Sequence, residues 1–359
     1  MPSATLKQTK LFSLYLTLFI DAMGIGILLP LLSKTLIDPH AYALVSQATA
    51  SERNILYGII LGIYFFTWFL GSAMLSELSD TAGRKKALLI CMAGITIAYL
   101  ITALAFVFHS IILIIIGRII AGFTAGSQPI AQATIIDISP VNKLTRNIGL
   151  VVFYFTAGMI AGPIVGAFLS DHHLIYWFSN TTPFYCVTLF SALNFFIILF
   201  SFKETSTQNN KIRIHPKKAI TIFISAFRHK KIRPLSIAFA ITLMGFNSYY
   251  IYAPIFLLHR FAFSTTSIGV GLAMGSAMLP NWFERHHISV KKIIIGGNII
   301  LAIGIVLNNI LVQLPLIWLI IIPMNAGFTL AYSFTINLFS KQVNSNEQGW
   351  VMGMSTSPK

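Results

Sequence analysis

Ten long apolar runs dominate the sequence and constrain the fold more than any other feature. A helix needs about 20 mostly apolar residues to cross the roughly 30 Å hydrocarbon core of a bilayer. Because the runs are continuous rather than alternating, they predict membrane-spanning helices and not barrel strands. The predicted spans are residues 11–32, 55–78, 87–108, 111–136, 148–170, 182–202, 235–258, 266–283, 291–311 and 313–340.

The composition is also that of a membrane protein. Of the 359 residues, 56% are hydrophobic and 10% are charged, whereas about 25% are charged in a typical soluble protein. A formal net charge of +15 is typical of nucleic-acid binding, but the basic residues lie in short segments between apolar runs, so we expect no nucleic-acid partner. Cys91 and Cys186 lie inside apolar runs, which favours neither a disulfide nor a metal site.

The basic residues also predict the orientation of the chain. With the amino terminus in the cytoplasm, only Lys34, Arg53 and Arg260 fall in the opposite segments, as the positive-inside rule requires. Residues 203–233 carry nine Lys/Arg against one acid, Glu204. We therefore expect an amino-terminal six-helix bundle at 1–202, a cytoplasmic basic linker at 203–234 and a carboxy-terminal bundle at 235–359. The linker is either simply solvated and held inside by its charge or a binding site for anionic lipids.

Two ionisable residues lie well inside predicted spans, Asp21 in the first and Arg118 in the fourth. A charged side chain costs roughly 2.5–3.5 kcal/mol there on insertion scales, so each is a candidate functional residue. If both face one cavity, a carboxylate near a fixed positive charge is suited to proton coupling. Alternatively, Asp21 is a structural carboxyl bonded to a neighbouring helix, and Arg118 forms a structural ion pair or extends to the membrane surface.

The segment between the second and third spans has the pattern Asp80-x-x-Gly83-Arg84-Lys85. Gly83 permits a tight turn, and Asp80 is placed to accept hydrogen bonds from the backbone or a guanidinium. On charge alone the segment is only a topology signal, but the spacing of the pattern is more specific than that.

The fifth span contains Gly158, Gly162, Pro163 and Gly166. Glycines four residues apart let two helices approach closely, and a proline removes one backbone hydrogen bond and allows bending. On spacing alone, ordinary helix packing also explains the pattern.

Together these patterns resemble the major facilitator superfamily, and within it the twelve-span drug/proton antiporters that include the tetracycline-efflux proteins. The resemblance is strongest over residues 11–170 and continues more weakly to the end. The matching motifs are Asp21-x-x-Gly24-x-Gly26 with Pro30, Asp80-x-x-Gly83-Arg84-Lys85, Gly117-Arg118-x-x-x-Gly122 with Pro129 and Asp137, and Gly158-x-x-x-Gly162-Pro163-x-x-Gly166.

The resemblance implies an all-α membrane protein of two six-helix bundles, with the substrate bound between them and exposed to each side in turn. It implies that Asp21 and Arg118 handle substrate or protons. The other implied roles are a cytoplasmic gate for Asp80, Gly83, Arg84, Lys85 and Asp137, and a helix bend for Gly158, Gly162, Pro163 and Gly166. Gln128, Asn247 and Asn325 are further candidates to line the cavity, although the two asparagines also fit simple interhelical hydrogen bonds.

The sequence departs from the family pattern in three places. Ser76 and Thr81 stand where the loop motif normally has a glycine and a basic residue. The eighth predicted span is short, and Gly349–Met354 resembles only the opening of an eleventh. We therefore expect about ten spans and an incomplete carboxy-terminal bundle.

The function expected from the resemblance is proton-coupled export of a drug-like or amphipathic small molecule. Such a protein is not an enzyme and needs no cofactor, because the proton gradient supplies the energy. The expected partners are the substrate, protons and membrane lipids, and we expect a monomer in a bacterial inner membrane. The alternatives are a proton-coupled uptake symporter and a truncated, transport-incompetent remnant of an exporter.

Overall fold

The structure is a computed structural model that describes residues 4–37, 48–140, 144–202, 204, 227, 233–261, 289–310 and 314–342. Within these ranges all regular secondary structure is α-helical. The helices are α1 (Ala4–Ile37), α2 (Ala50–Ala82), α3 (Arg84–Val107), α4 (Ile111–Thr124), α5 (Ser127–Ile138), α6 (Leu144–Leu169), α7 (Thr182–Ser201), α8 (Arg233–Phe261), α9 (Val290–Ile310) and α10 (Leu314–Gln342).

The described helices have the length and composition of membrane spans. Six segments are long and apolar enough to cross a bilayer, and two shorter ones, Phe153–Leu169 and Leu319–Tyr332, are also apolar. Large apolar side chains point outward along the helices, as Phe190, Leu193 and Phe196 do on α7. Outward apolar faces of this extent suit lipid and not water. The chain is therefore an all-α integral membrane protein that crosses the bilayer several times, as the sequence predicts.

Most of the predicted spans correspond to described helices. The first three spans coincide with α1, α2 and α3, the fifth and sixth with α6 and α7, and the seventh, ninth and tenth with α8, α9 and α10. The short eighth span at 266–283 and the segment Gly349–Met354 lie outside the described residues, as does nearly all of the basic segment 203–234.

The fourth predicted span differs, because it consists of two helices. α4 ends at Thr124 and α5 begins at Ser127. The backbone N–H of Ala125 bonds to both Ala121 O, at 2.9 Å, and Gly122 O, at 3.2 Å, which tightens the last turn. Pro129 has no N–H to donate to the carbonyl four residues earlier, so a continuous helix would lose that bond.

The described helices form two compact units, α1–α7 and α8–α10, with the division between Ala219 and Ile220. In the first unit α1 is the central helix, since 83% of the most apolar stretch of Lys10–Ile37 is buried. It packs against α6, α7, α5 and α2. In the second unit α9 packs along α10 over a core of Ile293, Ile294, Leu330 and Phe334. The bounds predicted for the two bundles and the linker stay predictions.

Candidate functional site

Asp21 lies in the middle of α1, inside the first bundle, and only 8% of it is exposed. The Ser127 hydroxyl donates a hydrogen bond to Asp21 Oδ2. Asp21 Oδ1 is buried and has no hydrogen-bond partner among the described residues. One oxygen of this carboxyl is therefore held in place while the other is left available for a proton or a new partner.

The break between α4 and α5 brings Ser127 to this position. Ser127 is the first residue of α5, directly after Gly126. A Cβ on Gly126 would lie 2.8 Å from the Gly71 carbonyl oxygen of α2, so only glycine allows the two backbones to approach this closely. The turn thus presents the first residue of α5 to α1.

Arg118 of α4 is completely buried. Its Nη2 donates to Thr102 Oγ1 at 2.8 Å, and its Cζ lies 5.1 Å from the ring centroid of Tyr99 and 6.0 Å from that of Tyr64. Cation–π contacts of this kind stabilise a desolvated guanidinium by up to about 2 kcal/mol. The site therefore compensates this buried charge partly with aromatic faces and a neutral hydroxyl.

Asp21 and Arg118 belong to one cluster without forming an ion pair. Among the described residues no salt bridge joins them, and Arg118 Nε and Nη1 have no hydrogen-bond partner there. Tyr64 and Tyr99 each interact electrostatically with both groups. The cluster thus contains a carboxyl oxygen and two guanidinium nitrogens with unused hydrogen-bonding capacity.

The loop between α2 and α3 is organised by Arg84. Its Nη1 donates to Asp80 Oδ1 at 2.6 Å and to Ser79 Oγ at 3.0 Å, and its Nε donates to Asp137 Oδ2 at 3.1 Å. Asp137 lies near the end of α5. One guanidinium therefore ties the carboxy-terminal ends of α2 and α5 together.

A second set of contacts ties the start of α3 to the end of α7. Lys85 Nζ donates to the Leu199 carbonyl in the last turn of α7 at 2.7 Å. In return, Glu204 Oε1 accepts the backbone N–H of Lys85 at 3.4 Å. Gly83 precedes α3 at φ +108° and has no side chain to cap that helix, so Glu204, which follows α7, supplies an acceptor instead.

The glycine–proline motif of α6 packs directly on the segment of α1 around Asp21. A Cβ on Gly162 would lie 2.5 Å from the Met23 carbonyl oxygen, and one on Gly26 would lie 2.8 Å from Pro163 Cδ. A Cβ on Gly158 would lie 2.3 Å from the Phe19 carbonyl oxygen. One on Gly166 would lie 3.4 Å from Ile27 Cα, which is an ordinary van der Waals contact. The motif therefore brings two backbones into contact beside the carboxyl.

The remaining predicted residues are dispersed. Gln128 follows Ser127 and is partly buried. In the second unit, the amide groups of Asn247 and Asn325 donate to the carbonyl oxygens of Leu243 and Ile321 in their own helices, each at 2.8 Å. These contacts leave their roles as predictions.

Five residues that contact the predicted site residues were not identified as site residues from the sequence. They are Ser127, Thr102, Tyr64, Tyr99 and Glu204. For Ser127 a signal existed, because Gly126 and Pro129 together predict a helix break. Tyrosine and threonine are common in membrane helices, so Thr102, Tyr64 and Tyr99 carry no distinguishing pattern. Glu204 stands out in the sequence only as the one acid of residues 203–233. In the part of the chain that the structure describes, no group of three or more His, Cys, Asp or Glu side chains is placed to hold a metal ion.

Comparison with known proteins gives relatives over almost the whole chain. The class E tetracycline resistance protein of Escherichia coli is 28% identical over 365 residues, which cover 98% of this chain and 84% of that protein. The class C protein of Escherichia coli is 29% identical and covers 94% of this chain and 82% of its own length. Both relatives are named as tetracycline resistance proteins.

The same fold occurs in solved transporter structures. The crystal structure of a D-xylose–proton symporter matches 99% of this chain and 87% of its own, with a TM-score of 0.72 and 13% sequence identity. At this identity the likeness shows the fold alone. The family model of the Major Facilitator Superfamily matches residues 11–357. The chain thus belongs to the Major Facilitator Superfamily and is homologous to the tetracycline resistance proteins.

Proposed function

We propose that this chain is a proton-coupled antiporter that exports a drug-like, amphipathic small molecule. The carboxyl of Asp21 carries the proposal, because it is buried in a membrane span with one oxygen held by Ser127 and the other unpartnered among the described residues. A buried carboxyl in a transporter is a natural place for a proton to bind and leave. Its protonation changes the net charge of the cluster that includes Arg118.

The direction of transport is inferred from two observations. Relatives that align with nearly the whole chain are named for tetracycline resistance. The glycine–proline motif, which in this family is associated with export, packs on α1 next to Asp21 through Gly162 and Gly26. Protonation of the carboxyl therefore takes place close to the tight contact between α1 and α6, which can pass a movement of α1 on to α6.

The proposed export activity also implies an energy source, a location and a gate. The proton gradient is the energy source, no cofactor is required and no reaction is catalysed. The protein works as a monomer in a bacterial inner membrane, with its amino terminus in the cytoplasm and with lipid around its apolar faces. Asp80, Gly83, Arg84, Lys85 and Asp137 then form a gate on the cytoplasmic side.

Substrate uptake into inverted membrane vesicles tests the proposal. Vesicles carrying this chain are energised by respiration and offered tetracycline or a lipophilic cation, with and without an ionophore. Proton-driven uptake that is lost with the ionophore and in Asp21→Asn supports export. Asp171→Asn is the matched control, because the Asp171 carboxyl accepts the His173 N–H at 2.9 Å outside the described helices. Absence of proton-driven uptake for every compound, or substrate movement only in the opposite direction, would contradict the proposal.

A further inference from the structure

Tyr99 of α3 physically connects α1 to Arg118. Its ring lies under the guanidinium, 5.1 Å from Arg118 Cζ to the ring centroid. Its hydroxyl lies so close to Gly24 that a Cβ on Gly24 would overlap it, and the three atoms nearest to that Cβ position all belong to Tyr99. Gly24 is three residues after Asp21, so the two lie on the same face of α1, about one turn apart.

Two further aromatic rings stack in series against the Tyr99 ring. It stacks on Phe184 of α7 with centroids 6.4 Å apart and an interplanar angle of 15°, and Phe184 stacks in turn on Phe106 at 5.1 Å. Tyr99 and Phe184 are buried to 3% and 0% exposure. Close-packed rings of this kind do not yield easily, so a displacement of α1 at Gly24 is passed through the ring to the guanidinium.

Two tyrosines lie near both Asp21 and Arg118, and the contact with Gly24 singles out Tyr99 as the link to α1. Among the described residues, Tyr64 of α2 and Cys91 and Tyr99 of α3 interact electrostatically with Asp21. Arg118 of α4 interacts with both tyrosines. The faces of α6 and α5 turned to this part of α1 present Gly158, Gly162 and the uncharged Ser127.

We propose that Tyr99 is a positioning residue, which holds the Arg118 guanidinium relative to Asp21 through the contact of its hydroxyl with Gly24. This inference rests on the proposed proton coupling at Asp21. As α1 shifts during transport, the hydroxyl moves with Gly24 and the guanidinium moves with the ring. The two ionisable groups thereby change position together although they form no ion pair.

Tyr99→Phe removes the hydroxyl and keeps the ring, so it tests this role directly. The matched control is Tyr15→Phe, which removes another buried tyrosine hydroxyl from the same bundle, one that donates to the Asn147 carbonyl at 3.4 Å. In proteoliposomes we expect Tyr99→Phe to lower proton-driven accumulation of substrate about tenfold, which is within the coupling found between side chains in contact. Energy-independent substrate exchange should stay within about twofold of wild type, since binding and folding are retained.

A spectroscopic measurement decides the positioning claim independently of transport. The side-chain Nε–H resonance of Arg118 is recorded in full-length protein in lipid nanodiscs and assigned by its loss in Arg118→Lys. The chemical shift of this resonance should change in Tyr99→Phe and stay unchanged in Tyr15→Phe. A resonance unmoved in Tyr99→Phe overturns the inference whether or not the protein transports.

The two measurements also separate this inference from the proposed function. A wild-type protein without proton-driven transport overturns the proposed function, and with it the coupling role of Tyr99, while the resonance still decides the positioning claim. A transporting wild type whose Tyr99→Phe variant shifts the resonance but accumulates substrate normally overturns the coupling role alone. A shifted resonance together with lost accumulation and retained exchange supports the whole inference.

Discussion

The Ser127 hydroxyl donates to the Asp21 carboxyl across 106 residues of sequence. Ser127 is the first residue of α5, directly after the break in the fourth span. A buried carboxyl is costly without hydrogen bonds, and Ser127 supplies the one that the structure records for it. Ser127 therefore ties the geometry of α5 to the state of Asp21.

Replacing Ser127 by alanine should impair proton coupling. The carboxyl would lose this bond, and hydrogen bonds to charged groups contribute about 1.5–3 kcal/mol. We expect proton-driven transport to fall about tenfold or more, and Ser127→Thr to retain much of it because threonine keeps a hydroxyl. The control is Ser33→Ala, which removes another buried hydroxyl of the first bundle, one that donates to Pro30 O of its own helix at 2.9 Å. Equal effects of Ser127→Ala and Ser33→Ala would refute a specific role for Ser127.

Gly24→Ala should displace the Tyr99 ring. The added methyl would overlap the tyrosine hydroxyl, and overpacking of this kind typically costs about 1–3 kcal/mol. Gly24→Ala should therefore lower both the melting temperature in detergent and proton-driven transport. Gly62→Ala adds the same methyl on α2 where nothing lies within 4 Å, so it should melt at or slightly above the wild-type temperature. Identical melting of the two variants would contradict the contact.

The two ends of the α6 motif should respond differently to alanine. A methyl at Gly162 would lie 2.5 Å from the Met23 carbonyl oxygen, whereas one at Gly166 would make ordinary contact with Ile27 at 3.4 Å. We expect Gly162→Ala to destabilise the protein by about 1–3 kcal/mol and Gly166→Ala to be tolerated. Thermal unfolding of both variants, followed by transport assays, checks this expectation. Tolerance of both substitutions would mean that the seam between α1 and α6 is not tight.

Gly83 should be sensitive to any side chain. Its φ of +108° and ψ of 147° lie in a region that essentially only glycine adopts, and a side chain forced into it costs about 1–3 kcal/mol. A Cβ would also overlap the Glu204 carboxyl. We expect Gly83→Ala to lower the melting temperature and Gly83→Asn to restore nothing, because this is not the left-handed helical region that asparagine tolerates. Restoration by Gly83→Asn would contradict the backbone argument.

The spans were predictable because an apolar run long enough to cross a bilayer has few other stable structures. Asp21 and Arg118 could be identified for the same reason, since a charged side chain is rare in such a run. The resemblance also grouped Asp137 with Arg84 in one cytoplasmic gate, and the structure places the Asp137 carboxylate 3.1 Å from Arg84 Nε.

The contacts that surround the ionisable residues could not be predicted in the same way. Which tyrosine lies under Arg118, and which serine reaches Asp21, depends on helix packing between residues far apart in sequence. Tyr99 differs from Phe106, the other aromatic residue of α3, in its contacts with Gly24 and Arg118, which no sequence pattern reveals. Among the described residues Arg118 contacts Thr102 and the faces of Tyr64 and Tyr99 rather than a carboxylate. A cavity shared by Asp21 and Arg118 stays a prediction.

Proton movement driven by a substrate gradient tests whether Asp21 couples the two fluxes. Purified protein is reconstituted in liposomes that contain a pH-sensitive dye, and a gradient of tetracycline is imposed without any other energy source. Proton flux opposite to the substrate is expected in wild type and in Asp171→Asn. No flux is expected in Asp21→Asn, although that variant still binds substrate. Proton flux that persists in Asp21→Asn, or substrate movement without proton movement in wild type, would contradict this coupling role.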